Sequence, residues 1–507
     1  MDFFKGRDIF FSMKYKLTTA KKIRVPAIAM ALILTLVACS DIFNPDTSPD
    51  LDHSHTWSGW TVVTEPSFKS VGIDAQFCDI CGEVEFRHIE PPAVTNLAEW
   101  NNAVAEISKD VKTGTDEVSY LITIKGNITG IRPTTAPNFG SKRGINIILA
   151  GTGSLSMATG AGHMVCVGNG QTLVIDGDNL TLKGRSGNDA NLAIIGVMAG
   201  GKAVLNNGII TKNTSANGGG VHVYANGTFA MSGGVISDNS ATSNGGGVIV
   251  EKDGIFAMEG GKISGNSATS NGGGVFVGTG GKFLMANGEI SGNTSSGTAV
   301  TNGGGGVLIE KDGIFTMEKG KISANKATRN GGGVLVRTDG QFLMNNGEIS
   351  GNTSSSTTGT YGGGGVRIEQ NGRFIMKNGK ISGNTTQRNG GGINNIGLFL
   401  MTGGEISGNT AQRNGGGVFN DSIFYITDGK VYGSTNTVPA NLRNTGYSLY
   451  QVETAERGKL KRDLDTILTE LADGVTVNRV YLNNNWTRKA NLAGTTNTIN
   501  VVDGDLR

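Results

Sequence analysis

Residues 245–266 read GGGVIVEKDGIFAMEGGKISGN, and residues 272–293 read GGGVFVGTGGKFLMANGEISGN. Both follow one frame: glycines, V-x-V, a turn, F-x-M, a turn, then an Ile-Ser pair running into Asn. Alternation with a period of two over three or four residues marks a short strand. Gly and Asn at each break supply the turns. The frame restarts at Val221, Val248, Val275, Val307, Val334, Val366, Ile393 and Val418, mostly 27 residues apart. Three strands and three turns per copy predict one coil of a solenoid, each coil pairing strand over strand with the next.

The columns agree with that reading. Phe229, Phe256, Phe283, Phe315, Phe342, Phe374, Phe399 and Phe424 hold one position of the frame, and a methionine follows two residues after each of them except the last, where Ile426 stands. A third column runs from Ile236 to Ile406 and closes at Val431. Such a lockstep makes the methionines core, filling gaps between rings, rather than a soft-metal site. One coil alone buries too little to offset the entropy of ordering it, so it depends on its neighbours. The pattern resembles a right-handed parallel β-helix. The expected fold is therefore all-β, with three-strand coils of about 27 residues over residues 93–434. A short amphipathic helix in NLAEWNNAVAEISKD, with Asn96 and Glu99 as a capping box, is expected to cap its N-terminal end.

Two polar columns accompany the core. Asn239, Asn266, Asn293, Asn325, Asn352, Asn384 and Asn409 follow the Ile column. Asparagine tolerates turn conformations and stacked amides bond coil to coil, so a structural role is expected rather than sugar binding. The residue before the Ile alternates as Lys262, Glu289, Lys321, Glu348, Lys380, Glu405 and Lys430, which implies a duplicated two-coil unit. Opposite charges on adjacent coils would oppose a one-coil slip in register.

Upstream of the repeats, basic residues precede the apolar run VPAIAMALILTLVA, and Leu36-Val37-Ala38-Cys39 follows. This resembles the lipobox of bacterial lipoproteins, which implies a signal peptide over residues 1–38 and acylation of Cys39. Without residues 1–38 the chain holds 37 Lys/Arg against 40 Asp/Glu, a net charge of −3. No basic bias then points to nucleic acid. Residues 39–52 are polar and acidic with two prolines, as a lipidated tether would be. Residues 53–92 contain HSHTWSGW and CDICGEVEFRHIE, similar to a small module of bacterial surface proteins. His55, Cys78, Cys81 and His88 are its candidate zinc ligands, since C-x-x-C supplies two thiolates; the alternative is a module held by Trp57 and Trp60 without metal. No other cofactor is expected. Residues 435–507 are expected to form a C-terminal cap or tail, with a candidate helix over residues 458–474.

Parallel β-helices include polysaccharide lyases and glycosidases, whose sites need clustered carboxylates. Asp176 and Asp178 form a close acidic pair in the irregular early coils, over residues 144–213, and suit a turn equally well. Glu251, Glu310 and Glu369 share a column, and with Arg337 they read as a solvated ion ladder. Two copies are lengthened at one corner, by TSSGTAVTN and TSSSTTGTY, and insertions on one face of a solenoid often mark a binding face. Arg329, Arg388 and Arg413 occupy a related corner and are the candidate contacts for anionic glycans.

The chain as a whole resembles the repeat-rich β-helix surface lipoproteins of host-associated bacteria, spirochaetes among them. Its frame is similar to the GGA[ILV] repeats of chlamydial polymorphic membrane proteins, without their FxxN partner motif. After Val475 no alternating strands like those of an autotransporter barrel follow. The resemblance implies a non-enzymatic protein, lipid-anchored at the outer membrane or cell surface, that meets host matrix protein or glycan. The alternative is a carbohydrate-active enzyme with its site in the early coils.

Overall fold

The computed structural model describes residues 59–70, 72–77, 84–109, 117–141, 143–187, 192–357, 362–426 and 428–432, with 444–445, 449–451 and 480–481 beyond them. The chain divides into two compact units, residues 1–91 and residues 92–507.

In the first unit, Thr61–Thr64, Gly72–Phe77 and Val84–Ile89 form an antiparallel sheet with the second strand in the middle. Asp74 is buried on that middle strand and pairs with Arg87 at 2.6 Å, while the Arg87 guanidinium lies 4.3 Å from the centre of the Trp60 ring. A buried carboxylate needs such a partner.

The second unit is a parallel β-solenoid of about 12 turns of roughly 27 residues. Its V-x-V strands stack into one sheet of 11 strands, its Phe-Met strands into a second of 14, and its Ile strands into a third of 12. The register is one coil to one coil without slip: Val248 lies beside Val275, Phe256 beside Phe283, Ile263 beside Ile290. The expectation of three strands per coil is incomplete. Two-residue strands, from Thr214–Ser215 to Thr410–Ala411, build a fourth sheet of eight strands. Each follows the Asn of the ladder and carries the chain toward the glycines.

Phe rings from Phe229 to Phe424 stack face to face, with centroids 4.6–5.1 Å apart. That spacing follows the distance between paired strands. Helix α1 (Leu97–Lys109) buries Trp100, Ala103 and Ile107. Asn96 accepts a bond from the Glu99 amide, and the Glu99 carboxylate accepts the backbone N–H and hydroxyl of Thr95, one residue before the cap. Those bonds hold the exposed Glu99 carboxyl below its usual range. At the other end, Leu449–Gln451 extends the V-x-V sheet, and Val480–Tyr481 pairs antiparallel with the last Phe-Met strand.

Corners are where a solenoid leaves backbone groups unpaired, and the asparagines answer that need. The Asn293 side chain donates to the Ile263 carbonyl of the coil before, and both its backbone N–H and its amide donate to Asn325 Oδ1 of the coil after, all at 2.9 Å. The same bonds recur through Asn352, Asn384 and Asn409, each fully buried. The Lys–Glu alternation places unlike charges side by side: Lys262–Glu289 at 3.3 Å, Lys321–Glu348 at 3.3 Å and Lys380–Glu405 at 3.0 Å. The Ser291 hydroxyl, more than Lys262, holds the Glu289 carboxyl below its usual range against the effect of burial.

These two ladders differ in weight. Asn325→Ala orphans the buried Asn293 N–H and removes the side-chain bond to the Ile290 carbonyl, and is expected to destabilise the solenoid by about 1–3 kcal/mol in chemical denaturation. Lys321→Ala removes a half-exposed pair and is expected to cost less than about 1 kcal/mol, a difference that vanishes in high salt.

Candidate functional site

Chemistry in a repeat protein is sought where the repeat is interrupted, and here the interruptions collect on the outer face of the V-x-V sheet. The middle residue of V-x-V points away from the core, yet all three residues of each strand are buried. The cover is the Asn-Gly-Gly-Gly segment, folded back over that face. Gly245 has a φ of 67°, and a Cβ there would lie 2.7 Å from the Val248 carbonyl oxygen and 3.0 Å from Ile249 Cβ. Only glycine fits so close an approach. Under this cover, Ile249, Phe276, Leu308 and Leu335 form an apolar strip separate from the main core.

At the N-terminal end of the strip the middle position holds Cys166, Gly196 and His222 on successive coils. His163, wholly buried, sits across Gly196, where a Cβ would fall 2.4 Å from its ring. Its Nδ1 lies 2.8 Å from the Ala193 carbonyl, so Nδ1 carries the proton; Nε2, 3.1 Å from the Tyr224 oxygen, accepts the phenolic hydrogen. His222 stacks on the Tyr224 ring at 3.8 Å, its Nε2 donates to Glu251 at 2.7 Å, and its buried Nδ1 has no hydrogen-bond partner. Burial drives the His163 pKa down to about 4, opposed by the Ala193 bond and helped by His222. Burial also pushes the Cys166 thiol up to about 11 and Tyr224 up to about 12, the latter aided by Glu251. The His222 bond holds Glu251 below its usual range. A thiol held so far from ionisation is no nucleophile at neutral pH. The cluster is two hydrogen-bonded pairs joined by the His222–Tyr224 stack, with Glu251 at its rim and His222 Nδ1 left over.

At the C-terminal end of the strip the middle position holds buried Arg367 and Asn394. The next column carries Glu310, Arg337 and Glu369. Arg337 pairs with Glu310 at 2.8 Å, both about one-fifth exposed, and reaches Asn271 Oδ1 and the Thr301 carbonyl. Burial pushes the Glu369 carboxyl up, against the pull of Arg367 and Arg337. The expected solvated ladder is thus a half-buried clasp on the first lengthened corner.

Arg329 donates from Nε to the Thr298 carbonyl of that same corner at 2.7 Å. Arg388 is buried, with its backbone N–H on Thr386 Oγ1, and Arg413 is exposed, with its N–H on the Arg388 carbonyl. The three share a repeat position, but only Arg413 is exposed; Arg329 is half-buried. Asp178 is exposed and accepts from Asn207 at 2.5 Å, and Asp176 is half-buried on the same turn. His55, Cys78, Cys81 and the side chain of His88 lie outside the described residues, as does Cys39. Among the described residues no group of His, Cys, Asp or Glu could hold a metal ion, and no helix is long and apolar enough to cross a membrane.

No family model, curated protein or solved structure matches the chain.

Sequence reasoning passed over His163, His222 and Tyr224. The signal was present in the middle position of V-x-V, where His222 and Arg367 replace the Ile, Phe or Leu of the copies between them.

Two outcomes follow from the His163 seat. Gly196→Ala drives a methyl into the ring and is expected to destabilise by about 1–3 kcal/mol in thermal or chemical unfolding. Folded His163 refuses the proton down to about pH 4, whereas an unfolded histidine takes it near 6.5. Between those values the unfolded state binds the extra proton, so stability falls as pH drops from 6.5 to 4, by about 3 kcal/mol in all. Melting curves across that range, with His163→Gln as the variant that flattens the slope, measure it.

Proposed function

We propose that the chain is an exported, lipid-anchored β-helix that works through its periodic surface, binding host matrix protein or glycan rather than turning over substrate. The observation that carries this reading is where the polar side chains of the coils go. The asparagines bond each other, the lysines meet glutamates on the next coil, and Glu310, Arg337 and Arg329 tie down a lengthened corner. What such a solenoid offers outward is a regular row of alternating Lys and Glu along its length, suited to an extended, repeating partner. Solenoids commonly bind through such extended surfaces.

The export reading rests on residues 1–39, and an acyl chain on Cys39 would supply a membrane attachment that needs a second contact to hold firmly. Exposed Arg413 and the lengthened corners are the contacts we assign to an anionic glycan. Zinc in the His55, Cys78, Cys81 and His88 module is part of the same proposal, as a structural ion.

A screen of the exported chain against immobilised glycans and matrix proteins, with reducing-end release measured in parallel, tests the reading. Binding without release is expected, weakened several-fold by Arg413→Ala. Release of sugar fragments would replace it with a carbohydrate-active enzyme.

A further inference from the structure

The dipeptide Asn-Gly recurs at three places in the coil, and the fold gives it two different surroundings. Before V-x-V, the glycine N–H is anchored to a carbonyl of the next coil: Gly331 on Gly362 at 3.0 Å, Gly390 on Asn414 at 2.9 Å. Before F-x-M it is anchored to the carbonyl three residues back, as Gly372 is on Glu369. Before the Ile strand, the glycine N–H meets only the side chain of its own asparagine. Gly347 N lies 2.8 Å from Asn346 Oδ1, and Gly379 N lies 2.8 Å from Asn378 Oδ1.

From this contrast we infer that Asn346 and Asn378 are sites of spontaneous deamidation in the folded protein. The contact holds the glycine nitrogen beside the amide carbonyl, so that a small side-chain rotation brings it onto Cγ. Proximity of this kind is what turns a slow encounter into an intramolecular reaction. Glycine has no Cβ to obstruct the approach, and both asparagines are exposed to water. The chemistry balances with water alone. The glycine nitrogen gives its proton to hydroxide and bonds to Cγ, the Cγ–Nδ2 bond breaks, and ammonia leaves with a proton from water. Water then opens the five-membered imide at either carbonyl, leaving aspartate or isoaspartate.

The frame also accommodates the aspartate product. In the last coil the same position is Asp428, whose Oδ1 accepts the Gly429 N–H at 2.7 Å. Asn346, Asn378 and Asp428 line one open groove of about 670 Å³ with Glu348, Lys380 and Glu405. Two deamidations would make that groove more acidic beside the Lys380–Glu405 pair. Asn207 shares the geometry, but its amide is tied to Asp178, so the inference is confined to Asn346 and Asn378.

The test is a peptide mass-spectrometric time course on the full chain at mildly alkaline pH and physiological temperature, with an isoaspartate-specific methylation assay. Asn346 and Asn378 are expected to convert roughly ten-fold or more faster than Asn330 and Asn389, with rates that rise with pH. In denaturant all four are expected to react alike. Asn346→Gln is expected to silence that site while Asn378 continues. Equal rates in the folded chain, or a contrast that survives denaturation, would overturn the inference.

Discussion

Everything in the solenoid hangs on bringing each coil back to the height of its neighbour with no backbone group stranded at the corner. The buried asparagine does this by bonding the coil before and the coil after through one amide. Its importance is clearest where the coil length changes. The coil from Val275 to Val307 is five residues longer than the one before it, yet Asn293 bonds Asn325 with the same distances as Asn266 bonds Asn293, within 0.1 Å. The extra residues follow the ladder and the fourth strand, where the register is already set. A corner without such an amide would have to leave a buried backbone N–H unpaired.

The glycine run has a second consequence that strand alternation conceals. Because the Asn-Gly-Gly-Gly segment lies over the outer face of the V-x-V sheet, that face is a second dry interior rather than a surface. Polar groups placed there cannot be solvated and must find each other. They do so at the two ends of the apolar strip. His163 bonds Tyr224, whose ring stacks on His222, and His222 bonds Glu251; Arg337 with Glu310 forms the other clasp. The departures from the repeat are therefore costly where they stand, which is what makes them worth testing.

Much of the fold was legible because its determinants are side chains repeated at fixed spacing. The Phe, Met and Ile columns named the core, and the Lys–Glu alternation named the two-coil unit. The fourth sheet escaped because Thr-Ser or Ser-Ala, two residues long, carries no period. The burial of Ile249 and Leu308 escaped because their cover is glycine backbone, which leaves no hydrophobic mark. The polar cluster escaped for a third reason: Cys166, Gly196 and His222 meet only through coil-to-coil register, and Gly196 matters by what it lacks. Arg337 beside Glu310 was visible as a pair, but its reach to Thr301 depends on where the lengthened corner folds.

The amide ladder also has a direction. Each Oδ1 receives its bonds from the coil before it, starting with the Arg185 N–H on Asn213 and running to Asn409 on Asn444. Aligned in one sense, the amide dipoles add along the axis instead of cancelling, and the two ends of the row are chemically unlike.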